Sequence, residues 1–475
     1  MSARSASRSR GGAAPRIGAW FAAIAACAAQ DAPPAREPVP VAARPEFALE
    51  VDAFCRPLIE AEVAIGLVVG IVDGDATLVR GYGTVAAGGP KQPDADTVYE
   101  IGSISKVFTG LLLALAVEDG RVALADPVQK HLPPQVRMPR TDAAEVLLWH
   151  LTTHTSGLPR LPSGTSPDPD DPYAHFDRDR LFAAVAESPL QNEPGSTYEY
   201  SNLAVGLLGQ LLVDTAGAVS FDALLQERIT GPLGLGDTSV HLGDAQRERL
   251  APPYGIDGDP AHNWDLAAFA GAGGIRSTMR DMLTFARAQL HPDRTPLAAA
   301  IRRSHQKLHD GVDGMAVACG WHFARDGSTL WHNGQTGGYH SYLAVSPAAG
   351  RAVCLLTNMS RGEVDVVGER LLQRLFGMPA EPLAIERPVE VEREALERCV
   401  GTYQLQPNVR MRVTLRERGL YAQLTGQDAF RLYPRSTTEF FYRVTAASVT
   451  FEVEGDEVKA LVLHQGGRDI RAPRR

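Results

Sequence analysis

The chain has 475 residues, of which 44% are hydrophobic and 22% charged, a balance that excludes a disordered or fibrous protein. Its formal charge of -9 argues against a nucleic-acid binder, which needs a basic surface to meet phosphate. The 47 basic residues include only five lysines, Lys91, Lys106, Lys130, Lys307 and Lys459, so a motif that needs lysine has few places to lie.

In chain order, the first element is a targeting segment. Arg4, Arg8, Arg10 and Arg16 precede a short apolar run, Ile17 to Ala26, and then small residues up to Ala29. That is the pattern of a secretory signal over residues 1–29, and the run is too short to span a bilayer. Export to the periplasm or the medium is expected. Plain cleavage near Ala29 is expected; the alternative is a lipid anchor at Cys27, since Ile24-Ala25-Ala26-Cys27 resembles a lipobox, and membrane attachment is expected by no other route. Residues 30–45 read as a Pro-rich linker.

Residues 46–385 mix strand signals with long helical patterns. Val63 to Asp75 reads as a buried strand ending in a turn. Val107 to Leu115 and Asn202 to Leu212 read as wholly buried helices. Strand signals return at Tyr342–Val345 and Ala352–Thr357. Strands at both ends with helices between predict one α/β sandwich whose sheet is closed by the late strands. Residues 392–475 differ. Short strand-like runs recur at intervals of about 8–12, the all-β signature. Met411 to Arg416 alternates apolar and polar, and Gly455-Asp456 fits a two-residue hairpin turn. This part is expected to be a small antiparallel barrel, with Tyr433, Phe440, Phe441 and Tyr442 in its core.

Three segments carry chemistry. In Ser103-Ile104-Ser105-Lys106, positions i and i+3 share a helix face, so the serine hydroxyl and the lysine amine can meet. A serine is a weak nucleophile until a neighbouring base takes its proton, and burial lowers a lysine pKa enough for that task. Tyr200-Ser201-Asn202 offers a phenol that can exchange protons and an amide that can orient a substrate. His332-Asn333-Gly334-Gln335 lies in a Gly-rich run before a late strand, whose edge can donate a backbone N–H to an oxyanion. A second Ser-x-x-Lys, Ser304 to Lys307, sits in a polar setting and reads as a solvated helix face.

The ordered triplet resembles the penicillin-recognising serine enzymes, and specifically the class C β-lactamase family with its D-Ala-D-Ala carboxypeptidase, D-aminopeptidase and carboxylesterase branches. Tyr99 to Gly110, Leu151 to Pro159, Ala272 to Thr278 and Leu356-Thr357-Asn358 are similar to further signatures of that family. The resemblance covers residues 46–380, and the tail looks like an accessory β-domain. It implies an α/β (α+β) sandwich of an antiparallel sheet with helices. It implies Ser103 as the acylated nucleophile, Lys106 and Tyr200 as the proton-transfer pair, and backbone N–H groups of Ser103 and Gln335 as the oxyanion hole. Asn202, Asn333, Gly334 and Ser341 would contact substrate. His332 stands where the family's β-lactamases carry lysine. A neutral imidazole grips a carboxylate less firmly, so the resemblance points away from efficient β-lactam hydrolysis.

No cofactor or metal is called for. His150 and His154 lack the glutamate of H-E-x-x-H, and the acidic run Pro167 to Tyr173 lacks EF-hand spacing. None of the cysteines stands in C-x-x-C spacing, and Cys354 reads as a buried free thiol. The expected substrate is a small molecule or peptide, a D-amino-acid peptide, β-lactam or ester, and no nucleic acid. The alternatives are a carboxylesterase of the same family and a non-catalytic muropeptide-binding protein. A further expectation is that the barrel regulates access to the cleft.

Overall fold

The computed structural model describes residues 45–475 except 163–167 and 169. The expected signal segment, Cys27 and all but the last residue of the expected Pro-rich linker lie outside them.

Two strands near the start, β1 (Gly66–Asp73) and β2 (Ala76–Gly83), form a hairpin. A short pair, β3 (Val98–Glu100) and β4 (Arg276–Thr278), stands apart from the main sheet. Six strands follow: β5 (His309–Val312), β6 (Met315–Val317), β7 (His322–Phe323), β8 (Leu330–Gln335), β9 (His340–Ser346) and β10 (Arg351–Thr357). The main sheet runs β2-β1-β10-β9-β8-β7-β6-β5. Each pair is antiparallel, and Gly70 of β1 faces Cys354 of β10. The late strands therefore close the sheet on the first hairpin, as the sequence predicts.

Strand residues alternate between two cores. Val68, Val72, Leu343, Val345, Cys354 and Leu356 meet the helices Ser105–Glu118, Asn202–Ala216 and Met279–Leu290. Leu67, Val69, Ile71, Tyr342, Ala344, Val353 and Leu355 meet the helices Pro45–Glu60 and Glu363–Leu375. Close packing needs a glycine at one crossing: a Cβ on Gly70 would lie 2.3 Å from Met279 Sδ. Cys55, Cys319, Cys354 and Cys399 are all buried and free.

After the helix Arg393–Cys399 come β11 (Gly401–Gln406), β12 (Val409–Arg416), β13 (Gly419–Leu424), β14 (Ala429–Pro434), β15 (Glu439–Phe441), β16 (Ala447–Glu454), β17 (Glu457–Gln465) and β18 (Arg468–Pro473). They form an antiparallel meander. It nearly closes on itself, because Tyr403 bridges Arg474 and Arg475 N–H donates to Thr402 O at 2.9 Å. Met411 and Val413 point inward while Arg412 is exposed, the expected alternation. Gly455, with φ +62°, makes the two-residue turn between β16 and β17.

The barrel aromatics need a correction. Phe440 is in the barrel core and Tyr442 packs against it. Tyr433 and Phe441 are buried but lie outside that core. The Tyr433 ring carries the guanidinium of Arg443 at 3.9 Å, and its hydroxyl is 3.5 Å from Asp257. Tyr421 donates to Asp259 at 2.6 Å, and Arg431 reaches Glu62 at 2.7 Å. One outer face of the barrel is thus built as a docking surface for the catalytic part.

Candidate active site

Ser103 sits in a single 3-10 turn, Gly102–Ile104, at the head of the buried helix Ser105–Glu118. Two features fix that turn. Gly102 has φ +50°, and a Cβ there would lie 2.6 Å from Gln335 N, so only glycine lets β8 approach this closely. Upstream, Glu100 is 3% exposed and is held by Arg276 at 3.1 Å, Asn263 at 3.0 Å and the Trp264 N–H at 3.2 Å.

Lys106 Nζ lies 2.9 Å from Ser103 Oγ and donates to Ala272 O at 2.6 Å. That carbonyl reaches the lysine because small residues let its helix, Ala270–Gly273, press against the neighbouring ones. A Cβ on Gly271 would be 3.0–3.2 Å from Phe221, Thr109 and Gly209. Lys106 is 1% exposed. Burial first, and then the nearby Arg160, hold its pKa well below the usual lysine value. The amine is therefore suited to accept a proton.

Tyr200 packs between these groups. Lys106 Nζ is 4.8 Å from its ring centroid, the Arg160 guanidinium carbon is 5.0 Å away, and the His154 ring stacks on it at 4.3 Å. Burial raises the phenol pKa, while a hydrogen bond with Ser103 and the charge of Arg160 pull it back. Burial thus favours the protonated phenol and the neutral amine, so a donor and an acceptor meet at Ser103.

His332, on β8, faces the same space. It is 1% exposed, and burial together with His322 and Lys106 holds its pKa well below 6.5. Its Nδ1 lies 2.5 Å from Asn333 O, which only accepts, so the proton sits on Nδ1. The Nε2 lone pair is buried with no partner among the described residues. The expected neutral imidazole is what the surroundings produce.

The remaining site expectations divide. Gln335 N–H lies beside Gly102, at the mouth of the nucleophile turn. Gly334 faces Ile101, where a Cβ would meet Ile101 O at 2.0 Å. Asn202 Nδ2 donates to Tyr173 at 3.1 Å, while its buried Oδ1 has no partner among the described residues. Asn333 does not join the cleft. Strand alternation turns it to the opposite face of the sheet, where it donates to Asp365 at 2.6 Å. Ser341 spends its hydroxyl on the backbone instead: it donates to Ile101 O at 2.8 Å, bracing β9 against the nucleophile turn. The second Ser-x-x-Lys is no site, but neither is it the solvated helix face expected: Ser304 is buried at the end of the helix Ala298–Ser304 and donates to Ile301 O, and only Lys307, beyond that end, is exposed and pairs with Asp310.

Sequence reasoning missed Arg160, His154, His322 and Tyr173. His154 was set aside with the zinc motif. Its Nδ1 accepts from Ser201 N–H at 3.1 Å, so it holds the Tyr200 segment in place. His322 contacts Tyr198 at 3.0 Å and lies 4.8 Å from the His332 ring, with its pKa lowered by burial to about 4. His150 instead accepts from Leu147 N–H, far from a shared ligand geometry with His154.

With this geometry in view, comparison with known proteins is direct. The beta-lactamase family model matches residues 51–377, more than half of the chain. The chain belongs to the beta-lactamase family. A domain of unknown function, DUF3471, matches residues 386–472, the barrel. Over 387 residues the chain is 29% identical to the D-alanyl-D-alanine-carboxypeptidase/endopeptidase AmpH of Escherichia coli, covering 76% of this chain and 98% of that protein. It is 30% identical to penicillin-binding protein 4 of Amycolatopsis lactamdurans, covering 70% and 91%. A crystal structure of a beta-lactamase/D-alanine carboxypeptidase from Yersinia pestis, complexed with citrate, superposes with a TM-score of 0.61 at 26% identity, covering 70% of this chain and 97% of that one. This beta-lactamase-family member is a serine hydrolase, and its family acts on small-molecule or peptide substrates.

Proposed function

We propose that this protein is an exported D-amino-acid peptidase of the carboxypeptidase type that works through an acyl-enzyme on Ser103. The observation that carries the reading is the 2.9 Å contact of Ser103 Oγ with the amine of Lys106, a buried lysine whose charged form burial disfavours. Lys106 takes the Ser103 proton as Oγ attacks the scissile carbonyl. The resulting oxyanion is met by the N–H groups of Ser103 and Gln335. As the tetrahedral species collapses, Tyr200 gives its proton to the leaving nitrogen and recovers one from Lys106. Water then attacks the acyl-enzyme over the same route in reverse. Asn202 Oδ1 accepts a substrate N–H, which favours amides over esters. The signal-like segment 1–29 supports export.

Incubation with a β-lactam or a fluorophosphonate is expected to add one covalent adduct at Ser103, read by peptide mass spectrometry. Turnover of a D-Ala-D-Ala peptide is expected to exceed that of nitrocefin. Absence of any adduct, or full activity in Ser103→Ala, overturns the reading.

A further inference from the structure

A hydrolase that cuts off a terminal amino acid must hold a carboxylate beside the scissile nitrogen. The strand position from which the resemblance would supply a cation carries His332, which is buried and neutral. Burial disfavours the charged form of Lys106 as well, and His154 and His322 are both held below the ordinary histidine value. Among the described residues, this floor therefore disfavours the positive charge that an anion would need.

Arg160 supplies one from the opposite wall. Its backbone is pinned to the Tyr200-Ser201-Asn202 segment: its carbonyl accepts from Asn202 N–H at 3.0 Å, and the preceding Pro159 O accepts from Ser201 Oγ at 2.7 Å. Its guanidinium lies over the Tyr200 ring, with the central carbon 5.0 Å from the centroid. The side chain is solvent-exposed and pairs with no carboxylate among the described residues. Its charge acts on the whole site, since it lowers the pKa of Lys106, Tyr200, Tyr173 and Tyr198 alike. An arginine held to one backbone segment, stacked on an aromatic face and without an acid among the described residues, presents a fork suited to bidentate carboxylate binding. In the reaction above, the Tyr200 hydroxyl meets the leaving nitrogen. In an α-amino acid leaving group the carboxylate is one carbon from that nitrogen, within reach of a guanidinium on the same ring.

We propose that Arg160 is the specificity-determining cation of this site, binding the free carboxylate of a C-terminal amino acid as it leaves, in place of a strand-borne lysine. This rests on the acyl-enzyme reading for its chemistry, but the binding it asserts is measurable without turnover.

The test uses a matched pair, an acylated D-Ala-D-Ala peptide with a free C-terminal carboxylate and the same peptide as its carboxamide. In full-length Ser103→Ala protein, calorimetry is expected to show the carboxylate bound about 10- to 100-fold more tightly, the scale of one charge-assisted bidentate contact. Adding Arg160→Gln is expected to bring that ratio close to one, and Arg160→Lys to restore part of it. In protein with Ser103 intact, the kcat/KM ratio between the two peptides should collapse in the same order, through KM for the carboxylate. A ratio that survives Arg160→Gln, or wild-type binding with no preference for the carboxylate, overturns the proposal. Loss of binding to both peptides alike also overturns it, because Arg160 would then only hold Tyr200 in place. A carboxylate preference that depends on Arg160 in a protein that never acylates Ser103 would instead overturn the acyl-enzyme reading and leave this one standing.

Discussion

At Ser103 the chemistry depends on which neighbour holds a proton. A lysine acting as base is active only when deprotonated. Burial pulls the Lys106 pKa down from the lysine range, so the acid limb of kcat/KM should lie well below pH 10.5 and should rise with pH through the Lys106 pKa. The neighbouring imidazoles are themselves held below the ordinary histidine value, His322 at about 4, so they lose their charge before neutral pH. His332→Gln should therefore lower kcat/KM without moving the midpoint of the limb, as a pH-rate series would read. Gly102 gives a sharper expectation. An added Cβ would sit 2.6 Å from Gln335 N at φ +50°. Gly102→Ala should cost about 100-fold or more in acylation rate, the scale of a lost oxyanion donor, with little change in circular dichroism. Ser103, Lys106, Tyr200 and Asn202 were readable from the sequence because each stands in a short motif with fixed spacing. Arg160 and His154 were not, because their importance comes from contacts to Tyr200 made 40 or more residues away along the chain.

At the scale of the element, β8 shows how far pattern reading carries. The run His332 to Gln335 announces a strand edge, but not which side chains share the cleft. Alternation decides that: His332 and Gly334 turn to the nucleophile side, while Asn333 turns to the helix Glu363–Leu375. There Asp365 binds both Asn333 at 2.6 Å and His340 at 2.7 Å. Asn333→Ala should leave KM unchanged and cost about 1–3 kcal/mol of stability, the scale of a lost hydrogen bond to a charged group, seen as a fall of several degrees in Tm. The strands that the sequence hid are the polar or short ones. β18, Arg-Asp-Ile-Arg-Ala-Pro, has only Ile470 and Ala472 to mark it, yet it closes the barrel. The strands β5 to β7 have two to four residues each, too few to show a period.

At the scale of the whole molecule, the two halves that differ so plainly in sequence are joined by buried polar contacts. Asp257 is 7% exposed, accepts from Arg431 N–H at 2.9 Å and faces the Tyr433 hydroxyl. Removing it strands those donors at a buried interface. Wild-type protein should melt in one calorimetric transition. Asp257→Ala should lower Tm and separate the barrel's transition from that of the catalytic part. A single unshifted peak in the variant would show that the interface contributes little to stability.

The segment around Asp257 has a second neighbour. Tyr254 N–H donates to both Gly338 O and Asn358 O, and a Cβ on Gly338 would strike Pro253 at 2.2 Å. One short loop therefore touches the barrel with its far end and the β8–β9 turn with its near end. The barrel cannot be exchanged as a free module. A hybrid carrying another protein's barrel would place a mismatch one loop away from Gln335, with residues 253–261 as the seam between them.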